Sequence, residues 1–216
     1  MKNKGIIFDL DGVIVDTAKY HYLAWKEIAK KLGYQFDEKD NEELKGVSRV
    51  KSLDILLQKA GTNLEQNEKE KLLTEKNNQY LELVSNIDKQ EMLPGIESLL
   101  DWLNQENIPF SLGSASKNAP YILEKLKIKD QFSAIVDGND VTKAKPDPEV
   151  FLIAAKKMGL KPNECVVIED SQAGIEAAKK AGMTAIGIGK DFKGADFIFE
   201  NTAALNPKFI KTILQN

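Results

Sequence analysis

Cysteine, histidine and arginine are almost missing from this chain: its 216 residues include one of each, Cys165, His21 and Arg49. A lone cysteine excludes an intrachain disulfide and a cysteine-rich zinc site. A lone histidine excludes multi-histidine metal centres and weighs against a Ser-His-Asp triad. No stretch approaches the roughly 20 apolar residues of a membrane span. The apolar run behind the first lysines meets Asp9 and Asp11 too early for a signal peptide, so a cytoplasmic, soluble protein is expected. Neither GxxxxGK[ST] nor a GxGxxG following a strand is present. A net charge of -3 argues against a nucleic-acid surface and leaves a local anion pocket open. Of 30 basic residues, 29 are lysine; genomic bias explains that usage, or Arg49 marks a place that needs a planar, five-donor fork.

What is present starts at residues 5–8, Gly-Ile-Ile-Phe, apolar on both faces as a central parallel strand requires. The run delivers Asp9 and Asp11 into Gly12. If the extended backbone continues, both carboxylates point to one side. Such a pair calls for a bound cation, a shared proton or a split of roles.

Asp16 or Thr17 caps a predicted helix to about Lys31, with Tyr20, Leu23, Ala24, Ile28 and Leu32 as its apolar stripe and Gly33 as its stop. Helical spacing persists to about Ser85. Pro94 suits the first turn of a helix ending near Asn104. Strands at 108–112, 133–136, 165–168, 183–188 and weakly 197–199 then alternate with helices at 117–127, 148–158, 172–181 and the C-terminus. That alternation predicts right-handed βαβ units. The expected fold is α/β: a doubly wound (Rossmann-like) parallel-sheet core from residues 1–16 and 91–216, split by an inserted all-helical cap domain, 17–90.

Doubly wound sheets bind ligands beyond the carboxyl ends of their strands. Four such exits carry Asp9 and Asp11; Ser114-Ala115-Ser116-Lys117-Asn118; Lys143 and Lys145; and Glu169-Asp170-Ser171. Asp9, Glu169 and Asp170 offer the hard oxygen ligands that Mg2+ favours beside water and phosphate. Lys145, the Ser114 hydroxyl and the amides near 114–116 offer charge and donors to that phosphate. Taken singly, Glu169-Asp170 also reads as an acidic loop, and the serines as a helix-capping turn.

These motifs resemble the haloacid dehalogenase superfamily of aspartate-nucleophile phosphotransferases over nearly the whole chain. The carriers are Phe8-Asp9-Leu10-Asp11-Gly12-Val13 with Asp16-Thr17, His21 and Trp25; Leu44-Lys45-Gly46-Val47-Ser48-Arg49; Ser114 to Asn118; Lys145-Pro146 with Pro148; and Glu169-Asp170-Ser171-Gln172-Ala173-Gly174. The second and third narrow the resemblance to sugar-phosphate mutases. It implies that Asp9 is the nucleophile and that Asp11 is the general acid and base, touching Mg2+ only through its backbone carbonyl. Glu169 and Asp170 complete the metal set, and Ser114 and Lys145 serve the transferring phosphoryl group. Arg49, Ser116, Lys117 and Asn118 would grip the distal phosphate beside Ala115. Lys45, Gly46, Val47 and Lys76 would line the cap face toward the sugar, and cap closure would exclude water.

Thr17, His21 and Trp25 recur one helical turn apart just beyond the hinge. Trp25 reads equally as core or pocket; for His21 the resemblance implies hinge duty and positioning of Asp11. The implied reaction converts β-D-glucose 1-phosphate to D-glucose 6-phosphate through β-D-glucose 1,6-bisphosphate. A sugar-phosphate phosphatase is the alternative. A phospho-signalling receiver fits less well, because its acceptor lies on a later strand and it needs no helical insert. The expected partner is a phosphorylated sugar, with neither nucleic acid nor membrane, and the expected state a monomer.

Overall fold

The computed structural model describes residues 4–44 and 47–215. The chain divides into two compact units, Met1–Asp16 with Ile87–Asn216, and Thr17–Asn86. The first is a six-stranded parallel sheet: β1 Gly5–Phe8, β2 Phe110–Gly113, β3 Ala134–Val136, β4 Cys165–Glu169, β5 Thr184–Ile188 and β6 Phe197–Phe199, in spatial order β3-β2-β1-β4-β5-β6. β1 pairs on both sides and is wholly buried, which is why it lacks polar alternation. The second unit holds α1 Ala18–Lys31, α2 Glu38–Glu42, α3 Arg49–Lys59 and α4 Gln66–Leu83. In the α/β unit, α5 Ile96–Gln105, α6 Ala119–Lys125, α7 Glu149–Lys157 and α8 Gln172–Lys180 link the strands, and α9 Pro207–Gln215 follows β6.

Strand order decides where ligands bind. Crossovers from β1 run one way along the sheet and those from β4 the other, so the direction reverses between these adjacent strands. Right-handed crossovers then put α5 and α6 on one face and α7 and α8 on the other. The residues leaving β1 and β4 therefore flank the switch-point crevice of a doubly wound sheet. The Ile7 face packs on Phe151, Ala154, Ile175 and Ala177 of α7 and α8. On the opposite face Phe8, Phe110 and Phe132 meet edge to face, with ring centroids 5.0 to 6.5 Å apart.

The helical unit has its own core of Trp25, Ile28, Phe36, Leu44, Leu53, Leu56 and Leu57. Trp25, open between core and pocket in the sequence, is thus a core residue, 3% exposed. No helix among the described residues is long and apolar enough to cross a membrane.

Three local expectations change. Thr17 stands at the N-cap of α1, but its hydroxyl caps nothing and instead accepts from the Tyr80 hydroxyl at 3.2 Å. Pro94 lies ahead of α5, whose cap is Gly95 at φ +85°; the Pro94 carbonyl accepts from the Thr202 hydroxyl at 2.8 Å. Residues 87–90 group with the α/β unit, because the chain beside them pairs there: Met92 bridges Val15, and the Leu93 amide donates to Ile14 O at 2.9 Å.

Ser111 in β2 is fully buried, and its hydroxyl has no hydrogen-bond partner among the described residues. Ser111→Ala removes an unsatisfied polar group and is expected to leave stability unchanged or raise it by about 1 kcal/mol in urea unfolding. A clear loss would mean that the hydroxyl is satisfied in solution.

Candidate active site

Asp9 follows β1 directly, its amide donating to Ile168 O at 3.0 Å, and Glu169 ends the neighbouring β4. The two carboxylates are therefore fixed by the pairing of adjacent strands. Lys145 bridges them: its ammonium donates to Asp9 Oδ1 at 2.6 Å and Glu169 Oε2 at 2.8 Å, above the Phe151 ring at 4.8 Å. All three side chains are buried. The other Glu169 oxygen accepts from the Ser171 hydroxyl at 2.7 Å and the Ser171 amide at 3.1 Å; the same hydroxyl accepts from the Gly174 amide and caps α8.

Two glycines make room for this arrangement. A Cβ on Gly174 would stand 2.0 Å from the Glu169 carboxyl carbon, and one on Gly12, at φ +73°, would stand 1.9 Å from Asp170 Oδ2. Side chains at either position would displace the acids themselves.

Asp9, Glu169 and Asp170 each offer a carboxylate oxygen, and the three oxygens lie within 4.8 Å of one another. Asp11 is not in this group. The strand ends at Phe8, and Leu10 O accepts from the amides of Ile14 and Val15 in a tight turn, so strand alternation does not extend from Asp9 to Asp11. Asp11 still adds repulsion at both Asp9 and Asp170.

Burial pushes the Asp9 carboxyl up to about 7, with Lys145 pulling it down and Glu169 and Asp11 raising it. Burial, followed by Glu169, Asp9 and Asp11, pushes Asp170 up to about 9. Burial opposes the charge on Lys145, but Asp9 and Glu169 outweigh it and hold the ammonium above its ordinary range. Three clustered carboxylates face one ammonium, a deficit that a divalent cation fits by charge and by its preference for oxygen ligands.

Beyond β2, Ser114 is buried, and its hydroxyl accepts from the Ser116 amide at 3.1 Å. The Ser116 hydroxyl accepts from the Asn118 amide at 3.3 Å, whereas the Asn118 side chain does not cap α6. This turn abuts the 137–140 turn so closely that a Cβ on Gly138 would stand 2.4 Å from Ala115 O. Lys117 is exposed; Ala115 and Ser116 are half-buried.

The remaining expected residues lie in the helical unit. Lys76 is 2% exposed, its ammonium 2.6 Å from His21 Nδ1 and 4.9 and 5.1 Å from the Tyr80 and Trp25 ring centroids. An ammonium only donates, so His21 Nδ1 accepts and the imidazole is neutral. Burial, then Lys76 and Arg49, holds His21 well below its ordinary value. Tyr80, fully buried and stacked on His21 at 4.1 Å, is a residue that no motif nominates; its one-turn spacing from Lys76 is the available signal. Arg49, the first residue of α3, and Val47, just ahead of its Ser48 cap, are half-buried, and Lys45 and Gly46 lie outside the described residues.

The haloacid dehalogenase-like hydrolase model matches residues 6–188. The chain belongs to that family. Within it, the chain is 48% identical over 206 residues to a β-phosphoglucomutase of Bacillus subtilis, covering 94% of this chain and 91% of the relative. It is 32% identical to a fructose-1-phosphate phosphatase of Escherichia coli, covering 85% and 95%. A crystal structure of β-phosphoglucomutase from Clostridium difficile superposes with a TM-score of 0.94 at 42% identity, covering 98% and 97%. This family member is thus closely similar, over nearly its full length, to β-phosphoglucomutases.

Protons held by Asp9 and Asp170 link the triad to pH. Both carboxyls sit above the ordinary 3.8, so their stabilising contribution is complete below about pH 4 and is lost as pH rises through about 7 and about 9. A divalent cation competes with those protons. The rise in melting temperature on adding Mg2+ is expected to grow from about pH 4 to about pH 9; a pH-independent rise would count against the triad as the cation site.

Proposed function

We propose that this chain is a β-phosphoglucomutase, interconverting β-D-glucose 1-phosphate and D-glucose 6-phosphate through β-D-glucose 1,6-bisphosphate and an aspartyl phosphate on Asp9. The observation that carries the reading is Lys145 bridging Asp9 and Glu169 at the sheet's switch point, with Asp170 alongside. The near full-length likeness to a mutase, helical unit included, supports this acceptor over water.

In this reading Asp9, Glu169, Asp170 and the backbone carbonyl of Asp11 hold Mg2+, which when bound offsets negative charge on the phosphoryl oxygens. Lys145 and the Ser114 hydroxyl assist in that neutralisation. Starting from phosphorylated Asp9, the sugar's C6 oxygen attacks phosphorus, the acyl phosphate bond breaks and Asp11 takes the hydroxyl proton. The bisphosphate reorients. Asp9 then attacks the phosphorus at C1, the bond from phosphorus to the sugar oxygen breaks and Asp11 returns the proton to that oxygen. Atoms and charge balance with one net isomerisation.

The same proposal gives Arg49, Ser116, Lys117 and Asn118 the phosphate that is not reacting, a bidentate fork suiting that task. Thr17, His21, Lys45, Gly46, Val47, Lys76 and Ala115 complete the sugar site, with Trp25 packed behind Lys76 in the core. Residues 17–86 serve as the cap and 1–16 with 87–216 as the catalytic core of a cytoplasmic monomer that engages a phosphorylated sugar and not nucleic acid or membrane. A phosphatase acting through the same carboxylates is the second reading, favoured by the likeness to the fructose-1-phosphate phosphatase.

Phosphorus NMR with β-glucose 1-phosphate, Mg2+ and trace bisphosphate separates the two. Glucose 6-phosphate is expected to accumulate; inorganic phosphate in its place would establish the phosphatase. Asp9→Asn is expected to abolish phosphoenzyme formation, and covalent phosphate on another residue would sink the assignment. Arg49→Lys is expected to slow isomerisation by roughly 10-fold or more while sparing hydrolysis of small acyl phosphates. An equal loss of both would remove Arg49 as the distal-phosphate clamp.

A further inference from the structure

Lys145 reaches Asp9 and Glu169 from residues 137–148, a segment without helix or strand. Its order must come from ties made by its neighbours, since each fixed residue costs about 1–2 kcal/mol of backbone entropy. The densest tie is Glu149, in the first turn of α7. Glu149 Oε2 accepts from the amides of Thr142 at 2.8 Å and Lys143 at 2.7 Å. Both its oxygens also accept from the Thr142 hydroxyl at 3.1 Å.

On the other side of Lys145, the Glu149 amide donates to Asp147 Oδ1 at 3.1 Å and the Asp147 amide donates to Ala144 O at 3.0 Å. Lys145 is therefore enclosed in a short loop that closes on Glu149 from both ends. Charge-assisted bonds to backbone amides are the stronger kind. They also hold the Glu149 carboxyl below its ordinary value, the Lys143 amide contributing most. Lys180 of α8 adds a second tie, its ammonium donating to Pro146 O at 3.1 Å.

We infer that Glu149 is a positioning residue for phosphoryl transfer, closing the 142–148 loop so that the Lys145 ammonium is held between Asp9 and Glu169. It acts through Lys145 alone. The inference rests on the reading that Lys145 serves phosphoryl transfer, and the test separates the two. Misplacing a catalytic group by about 1 Å costs up to roughly 100-fold in rate.

A double-mutant cycle on the full chain reads this directly, with kcat for β-glucose 1-phosphate isomerisation measured for wild type, Glu149→Ala, Lys145→Ala and the double variant. Glu149→Ala is expected to lower kcat by roughly 10- to 100-fold beside Lys145, and by less than about 2-fold once Lys145 is alanine. A similar loss in both backgrounds, which a merely structural role would produce, overturns the inference, as does no loss in either. Glu149→Gln, which keeps one acceptor oxygen, carries the same cycle if the alanine variant does not fold. A silent Lys145→Ala would bring down the active-site reading itself; a large Lys145→Ala effect beside a silent Glu149→Ala would bring down this inference alone.

Discussion

Three carboxylates gathered around one ammonium at the sheet's switch point are the constraint on which the α/β unit depends. Close burial of like charges is tolerated only with protons, a counter-charge or a cation. The structure supplies the counter-charge in part, through Lys145, and raises Asp9 and Asp170 toward the protonated form for the remainder. Much of the surrounding architecture serves this cluster. Adjacent parallel strands bring Asp9 beside Glu169, Ser171 fixes the far oxygen of Glu169, and Gly12 and Gly174 surrender their side-chain space to the acids.

The helical unit, whose acidic and basic residues balance overall, buries a cation of its own. Lys76 and Arg49 both depress the single histidine, and the neutral imidazole accepts from the Lys76 ammonium while stacking on Tyr80. Burying a lysine between aromatic rings is costly unless the ring faces and a hydrogen bond replace water. A carboxylate triad that fits a divalent cation and a basic cluster are the two electrostatic parts that handling a phosphorylated sugar calls for.

Legibility in the sequence followed the range of the interactions. β1 was readable because a strand paired on both sides must be apolar throughout, and the β and α alternation because its periods are local. Asp9, Glu169 and Asp170 could be nominated because each directly follows or ends such a strand. Less visible were contacts that join distant segments. Thr17 looked like a cap until Tyr80 took its hydroxyl, and residues 87–90 counted with the inserted cap until the neighbouring Met92 and Leu93 paired with Val15 and Ile14. Glu149 reads as an ordinary acidic first-turn residue, and nothing local reveals that its carboxylate closes the loop carrying Lys145.

The sequence by itself determined the class of fold and the chemical inventory: a parallel sheet, a helical insertion, hard oxygen ligands, lysines at the strand exits and one arginine. Periodicity and residue type suffice for these because they act within a few residues along the chain. Only the tertiary structure decided which acids share a site, since membership depends on strand order and on turn geometry. It placed Asp11 outside the carboxylate group, set Lys145 between Asp9 and Glu169, and put Trp25 in the core. The distances that govern charge and proton affinity there span 24 and 136 residues along the chain, and no local pattern encodes them.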